Sequence, residues 1–116
     1  MAIEYAKILG KYISEGLSEN EEVFIKETLK KLIEQEIDML EREKEGCKKE
    51  MEIFEEKYSL KSEEFFKKFD SGEMGDDLDF FEWYAHVDSY NRVGKRQRVL
   101  MENLKFNYAV GQRTAS

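Results

Sequence analysis

The feature that most constrains this chain is a long segment with no proline and one glycine, from residue 18 to residue 58. Its apolar residues recur at alternating steps of four and three positions. Because this spacing averages about 3.5 residues, it places these side chains in one stripe along a helix and is typical of a coiled coil. Lys44 is the only charged member of the stripe, which is formed by Ile33, Ile37, Leu40, Lys44, Cys47, Met51, Phe54 and Tyr58.

The start of this helix is marked by Ser18, which is followed three positions later by Glu21. Such a pair forms a capping box, in which each side chain accepts a hydrogen bond from the backbone N–H of the other residue. Just before it, Gly16 is suited to the left-handed conformation that ends many helices. We therefore predict a short N-terminal helix within residues 1–17 and a long helix over residues 18–58.

A short helix is predicted over residues 62–70. It follows a break in the apolar spacing, and either Ser59 or Ser62 is a candidate cap for its first turn. The sequence DSG at residues 70–72 is typical of a helix end. The short helix has one apolar side, which is formed by Phe65, Phe66 and Phe69.

The last helix is predicted over residues 76–108. Asp76 is expected to accept hydrogen bonds from the unpaired backbone N–H groups of its first turn. Asp77 and Asp79 also lie where the positive end of the helix dipole favours carboxylates. Residues 109–116 are expected to form a frayed tail.

These helices predict an all-α fold in a single domain that spans residues 1–116. A long helix cannot bury its apolar stripe alone, and a second long helix follows it after a compact turn. The two are therefore expected to fold back as a long antiparallel helical hairpin, coiled-coil-like, with short helices at the N-terminus and at the bend. Apolar surface left uncovered on such a hairpin favours a homo-oligomer.

The charge of the chain is strongly asymmetric. Residues 1–91 carry 13 basic and 25 acidic side chains, whereas residues 92–116 carry six basic and one acidic, which gives a formal net charge of −7. An acidic chain is a poor partner for nucleic acid, because binding to phosphates depends on Lys and Arg. Three basic residues of the last helix are a weak candidate for phosphate contact, although such a group is more often a solvated helix face. They are Lys95, Arg96 and Arg98.

Targeting and redox features of the sequence favour the cytoplasm. Cys47 is the only cysteine, so it cannot form an internal disulfide, which is typical of a reducing compartment. The N-terminal residues lack the basic and apolar regions of a signal peptide, and no apolar run approaches the roughly 20 residues that a membrane span requires. We therefore expect a cytoplasmic protein without a membrane partner.

Residues 72–90 combine carboxylates and aromatic rings with the only Trp and the only His of the chain, which makes them the strongest candidate for a catalytic or metal site. Residues 70–81 align with the 12-residue calcium loop of an EF-hand. However, three positions that should hold oxygen ligands are occupied by Gly72, Met74 and Phe81, so a calcium loop is rejected.

Other chemistry is also weakly supported. Glu82 and His86 lie one helical turn apart, but a di-iron bundle needs further Glu and His ligands. A nucleophilic pair of Cys47 and His86 would require folding to bring them together, and a cysteine on an apolar stripe usually acts as a small hydrophobe. The sequence has no glycine-rich phosphate loop. We expect no enzyme activity, no cofactor and no metal.

The same segment is instead typical of a docking surface. Trp and Tyr are common anchors of protein interfaces, and carboxylates around them suit a basic partner. The sequence leaves open whether these rings contact a partner or fill the core. The predicted partner-binding residues are Asp76, Asp77, Asp79, Phe80, Phe81, Glu82, Trp83 and Tyr84.

Part of the chain, about residues 40–92, resembles a group of small acidic helical proteins from archaea and cyanobacteria. In that group a long acidic helix precedes the phrase F-E-x-K-Y-x-(M/L)-x-S-E-E-F-x-x-K-F and then G-(E/Q)-x-x-D-x-x-D-F-F-E-W. The matching residues of this chain are Phe54, Glu55, Lys57, Tyr58, Ser62, Glu63, Glu64, Phe65, Lys68, Phe69, Gly72, Glu73, Asp76, Asp79, Phe80, Phe81, Glu82 and Trp83. The chain departs from the pattern at residues 1–20, an apparent addition, and in its more basic last helix.

Proteins of this group resemble the antitoxin or accessory halves of toxin–antitoxin pairs. The resemblance implies a non-catalytic protein that binds and neutralises a small, basic toxin by covering its surface. Two alternatives remain open: a self-assembling helical adaptor, and a nucleic-acid-binding regulator that uses the basic part of the last helix.

Overall fold

The computed structural model describes the backbone of residues 1–115 and the side chains of residues 1–104. Over these residues the chain is helical and contains no strand, which confirms the predicted all-α class. The chain groups into two compact units, residues 1–34 and the residues from 35 onward, and the single domain stays a prediction. The helices are α1 (Ala2–Ser14), α2 (Glu19–Tyr58), α3 (Ser62–Asp70) and α4 (Leu78–Ala115).

Within the first unit, the turn between α1 and α2 follows the predicted signals. Gly16 adopts the left-handed conformation, with a φ of +104°. The Ser18 N–H donates to Glu21 Oε1 at 3.2 Å, and the Glu21 N–H donates to Ser18 Oγ at 3.3 Å. Both bonds of the capping box are therefore formed, and α2 begins one residue after its cap.

The first unit also carries a row of uncovered apolar side chains on α1 and on Met1, the residue that precedes it. No residue of α1 is buried. Tyr12 Oη donates to Glu21 Oε2 at 2.6 Å, which holds the Tyr12 ring in place while it stays exposed. We define the α1 stripe as four side chains that are between 50% and 89% exposed: Met1, Tyr5, Ile8 and Tyr12.

In the second unit, α2 and α4 pack against each other as the predicted hairpin. The direction of α4 is antiparallel, because contacts that move towards the N-terminus of α2 move towards the C-terminus of α4. The pairs that show this are Lys57 with Asp79, Phe54 with Trp83, and Lys44 with Gln97.

The stripe predicted on α2 lies on the less exposed side of that helix. Leu40 and Phe54 are buried, and the other six members are half-buried. On α4, the residues Val87 and Val93 are buried as well. The alternating spacing of four and three therefore marks the buried seam of the hairpin, as the sequence predicts.

The charged member of the stripe is accommodated by a polar contact that the sequence did not predict. Gln97 of α4 is buried, and its Oε1 lies 3.4 Å from Lys44 Nζ. Gln97 Nε2 donates to Glu41 Oε2 at 2.6 Å and to the Ile37 carbonyl oxygen at 3.4 Å. Lys44 Nζ also lies 5.3 Å from the centroid of the Tyr90 ring. Each polar group of the buried Gln97 amide thus has a partner.

The bend between α2 and α3 is built from a backbone turn and one carboxylate. Ser59 adopts a left-handed φ of +50°, and the Leu60 N–H donates to the Glu55 carbonyl oxygen at 3.2 Å. The carboxylate of Glu55 then accepts the Ser62 N–H at 2.8 Å. Neither Ser59 nor Ser62 caps α3, contrary to the prediction, because Ser62 is buried and its hydroxyl accepts a bond from Trp83.

The bounds of α4 differ from those predicted. The helix begins at Leu78 and ends at Ala115, whereas the sequence predicted residues 76–108 and a tail over 109–116. No proline interrupts the end of the chain, so nothing in the sequence forces the helix to stop at residue 108. Ser116 lies outside the described residues.

Candidate partner-binding site

The start of α4 is capped by Asp77 rather than by the predicted Asp76. Asp77 Oδ1 accepts the Asp79 N–H at 2.9 Å, and the Asp77 carbonyl oxygen accepts the Phe80 N–H at 3.0 Å. Gly75 has a φ of +79°, so the chain turns just before the cap and the helix begins two residues later than predicted. Asp76 is exposed and lies outside the cap.

Asp79 joins the start of α4 to the end of α2. Its Oδ2 accepts hydrogen bonds from Lys57 Nζ and from Tyr58 Oη, each at 2.6 Å. These bonds, that of Lys57 first, hold the pKa of Asp79 below its ordinary value of 3.8. The same contact raises the pKa values of Lys57 and Tyr58, because both protonated groups donate to the carboxylate. Asp79 therefore fixes the position of the first turn of α4.

These pKa directions predict how stability depends on pH. The Asp79 contribution is present above about pH 4, the pKa of an unfolded Asp, and is lost as pH falls through the lowered pKa of the folded state. The Lys57 and Tyr58 contributions are present below about pH 10 and are lost as pH rises through their raised pKa values. We expect Asp79→Asn to be less stable than the wild type from about pH 5 to 9, with a smaller difference towards pH 3.

Urea unfolding at several pH values measures this difference. Asp76→Asn is the matched control, because it removes the same charge from a neighbouring exposed carboxylate that accepts no hydrogen bond from the described residues. A difference for Asp79→Asn that did not change with pH would contradict the prediction.

Trp83 is fully buried at the centre of the aromatic core of the hairpin. Its ring stacks on Phe65 with a centroid distance of 3.8 Å and an interplanar angle of 3°. Phe54 and Tyr58 stack at 5.8 and 5.9 Å, and Trp83 Nε1 donates to Ser62 Oγ at 2.9 Å. Because no part of its surface is exposed, Trp83 moves from the predicted partner-binding set into the core.

Phe80 and Tyr84 are half-buried and contribute mainly to the same core. Phe80 packs on the rings of Tyr58 and Phe65 at 5.1 and 5.8 Å. Tyr84 stacks on Phe66 at 4.5 Å, and its hydroxyl donates to Asp70 Oδ1 at 3.0 Å. This bond raises the pKa of Tyr84. These two rings attach α4 to the neighbouring helices and leave little area for a partner.

The exposed part of the segment is a pair of apolar side chains on the first turn of α4. Leu78 is 84% exposed and Phe81 is 52% exposed, and their spacing of three residues puts them on one face. The rings of Phe81 and Phe69 are nearly perpendicular at a centroid distance of 5.4 Å, so Phe81 is supported from one side. Leu78 was not among the predicted residues, although its position one turn before Phe81 is visible in the sequence.

Three exposed acidic residues lie next to this pair along the chain. Glu82 lies one turn after Leu78 on the same face, and the exposed Asp76 and Asp77 immediately precede the helix. Glu82 Oε1 lies 3.9 Å from Nε2 of the half-buried His86, which is a long and weak contact. We define the tip patch as Leu78 and Phe81 with the carboxylates of Asp76, Asp77 and Glu82.

The weak nucleic-acid residues are separate from the tip patch. Lys95, Arg96 and Arg98 lie on α4 and line two shallow, open depressions. At a rise of about 1.5 Å per helical residue, they lie roughly 20–30 Å along α4 from the part of the tip patch that belongs to this helix. The structure therefore does not bring the two predicted sites together.

Two observations on the described residues concern metal ligands and the thiol of Cys47. It holds no group of three or more His, Cys, Asp or Glu side chains arranged around a common point for a metal ion. Cys47 is half-buried on the seam, and burial followed by the nearby charge of Glu43 raises the pKa of its thiol. A raised pKa leaves less of the reactive thiolate at neutral pH.

Comparisons of the chain with known protein families, with curated proteins and with solved structures found no match. Among the described helices, none is both long enough and apolar enough to cross a membrane.

Proposed function

We propose that this protein is a non-enzymatic, antitoxin-like binding protein that neutralises a small basic protein by docking the tip patch on it. One observation carries the proposal: Leu78 and Phe81 are exposed on the first turn of α4, next to three exposed carboxylates and beside the aromatic core of the hairpin. Large apolar side chains that are exposed side by side are typical of protein interaction sites.

The tip patch is supported by a rigid base, which favours binding. The Asp77 cap and the Asp79 contacts fix the first turn of α4, and the aromatic core lies directly beneath it. A surface that already has its bound conformation loses less conformational entropy when a partner docks. The tip patch is therefore suited to bind a partner without a prior change of its conformation.

The charge around the tip patch favours a basic partner. Its three carboxylates belong to the part of the chain with 25 acidic and 13 basic residues, so the surrounding field has the same sign. Complementary charge speeds association and disfavours acidic competitors, while the apolar pair supplies contact area. A partner covered in this way would be neutralised by occlusion of its basic surface, without any chemical step.

Capture of partners from the native host tests the proposal. We expect the wild type to retain one small basic protein in stoichiometric amount. Expression of that captured partner alone should slow the growth of the host, whereas its expression together with the wild type should not. The double variant Leu78→Ala/Phe81→Ala should bind it about 30-fold or more weakly, the range of an interface hot spot of about 2 kcal/mol. Because both side chains are exposed, its helicity should be unchanged.

Val99→Ala is the matched control, because Val99 is an exposed apolar residue of the same helix that lies away from the tip. It should bind the partner as the wild type does. Equal binding by the double variant, or the recovery of nucleic acid in place of a protein, would contradict the proposed function.

A further inference from the structure

The α1 stripe of the first unit has the spacing of the core residues in one helix of a coiled coil. Its members follow at steps of four, three and four residues, which are the core positions of two successive heptads. All four side chains are large, and all are exposed. A helix of 13 residues with such a row on one side buries it only by pairing with another surface.

The residues that flank the stripe favour a second copy of α1 as this surface. In heptad terms, Tyr5 and Tyr12 occupy the a positions, and Met1 and Ile8 the d positions. Glu4 and Lys11 then both fall on the g positions, which set partner choice and orientation in coiled coils. Two g residues of opposite charge on one helix complement each other only when a second copy runs in the opposite direction.

One antiparallel register pairs apolar residues in the core, opposite charges on one flank and apolar residues on the other flank. When Tyr5 of one copy lies opposite Ile8 of the other, Met1 lies opposite Tyr12, and every core residue meets a large apolar side chain. In the same register Glu4 faces Lys11 of the second copy on one flank. On the other flank, the e positions bring Ala2 opposite Leu9, which is half-buried and apolar. A parallel pair would instead place the charged g residues against these apolar e residues.

We propose that α1 pairs with α1 of a second copy of this chain as a two-fold symmetric, antiparallel coiled coil. A two-fold interface repeats each contact, so the pair contains two Glu4–Lys11 contacts and two Ala2–Leu9 contacts. Within one chain, the Glu4 carboxylate lies 3.7 Å from the amino group of Met1, and both are exposed to solvent. Such a screened contact is weak and leaves Glu4 able to face the second copy.

Sedimentation of the full chain at several concentrations and at low salt tests the pairing. We expect the wild type to sediment as a dimer that dissociates on dilution, because two short helices bury a small interface. Glu4→Lys and Lys11→Glu should each weaken the dimer about tenfold or more, because each creates two like-charge contacts. The double variant Glu4→Lys/Lys11→Glu exchanges the charges and should restore the dimer.

Two further variants keep the test selective. Ile8→Asp places a charge in the centre of the stripe and should give a monomer with unchanged helicity of the remaining chain. Lys7→Glu makes the same change of charge as Lys11→Glu at an exposed position off the stripe, and should leave the dimer intact. A monomeric wild type, a dimer that survives Ile8→Asp, or single charge reversals without effect would overturn the proposal. None of these variants changes a residue of the tip patch. The capture of a basic partner therefore tests the proposed function separately from the pairing of α1.

Discussion

Trp83→Ala is expected to destabilise the protein more than any other single truncation. The ring is fully buried, stacks on Phe65, and donates its only polar hydrogen to Ser62. Removal of so large a buried side chain typically costs about 3–5 kcal/mol, because the cavity it leaves closes only in part. A small domain has a total stability of about 5–15 kcal/mol, so we expect much of the aromatic core to unfold under mild conditions.

Urea unfolding followed by circular dichroism measures this loss. Trp83→Phe keeps an aromatic ring for stacking but loses part of the ring volume and the hydrogen bond to Ser62, which is worth about 1 kcal/mol, so we expect its stability to lie between those of the wild type and Trp83→Ala. Phe81→Ala is the control on the adjacent turn and should change stability by less than about 1 kcal/mol, because Phe81 is exposed. Stability of Trp83→Ala equal to that of Phe81→Ala would show that the core has been wrongly located.

Leu40→Ala is expected to produce the largest loss of stability among truncations outside the aromatic core of the hairpin. Leu40 is 3% exposed and lies in the same part of α2 as the three residues that contact the buried Gln97. Truncation of a buried leucine costs about 2–5 kcal/mol. Because Leu40 is almost fully covered in the structure, we expect the cost to lie within that range.

Met39→Ala provides the matched control, because it truncates a side chain of similar size at the preceding position. Met39 is 62% exposed, so its removal should change the free energy of unfolding by no more than about 0.5 kcal/mol. If the two variants lost equal stability, the α2 stripe would not be the buried seam. Thermal unfolding of both variants and of the wild type in the same buffer measures the two losses of stability.

The parts of the fold that could be predicted are those set by local spacing. The steps of four and three along α2 determine which side of the helix is apolar, whatever it packs against. The capping box is likewise a contact between residues three positions apart, and both of its bonds are present. Gly16 has the predicted positive φ for a similar reason, because glycine alone adopts this conformation without a steric cost.

The parts that could not be predicted depend on neighbours that are distant in sequence. Gln97 is polar, and only its position opposite Lys44 and Glu41 makes its burial favourable. The choice of Asp77 over Asp76 as the cap follows from the turn at Gly75. Adjacent aromatic residues of α4 separate into core and surface because α3 covers Trp83 and leaves Phe81 at its edge.

The burial of a single tryptophan gives this protein a built-in optical reporter of one region. Trp83 is the only indole in the chain, so its fluorescence emission comes from the aromatic core alone. Exposure of that ring to water shifts the emission to longer wavelength, whereas circular dichroism averages over all four helices. Coincident transitions by the two signals would mean that the hairpin melts as one cooperative unit. A fluorescence transition at a higher denaturant concentration than the circular dichroism transition would mean that the aromatic core is more stable than the rest of the helices.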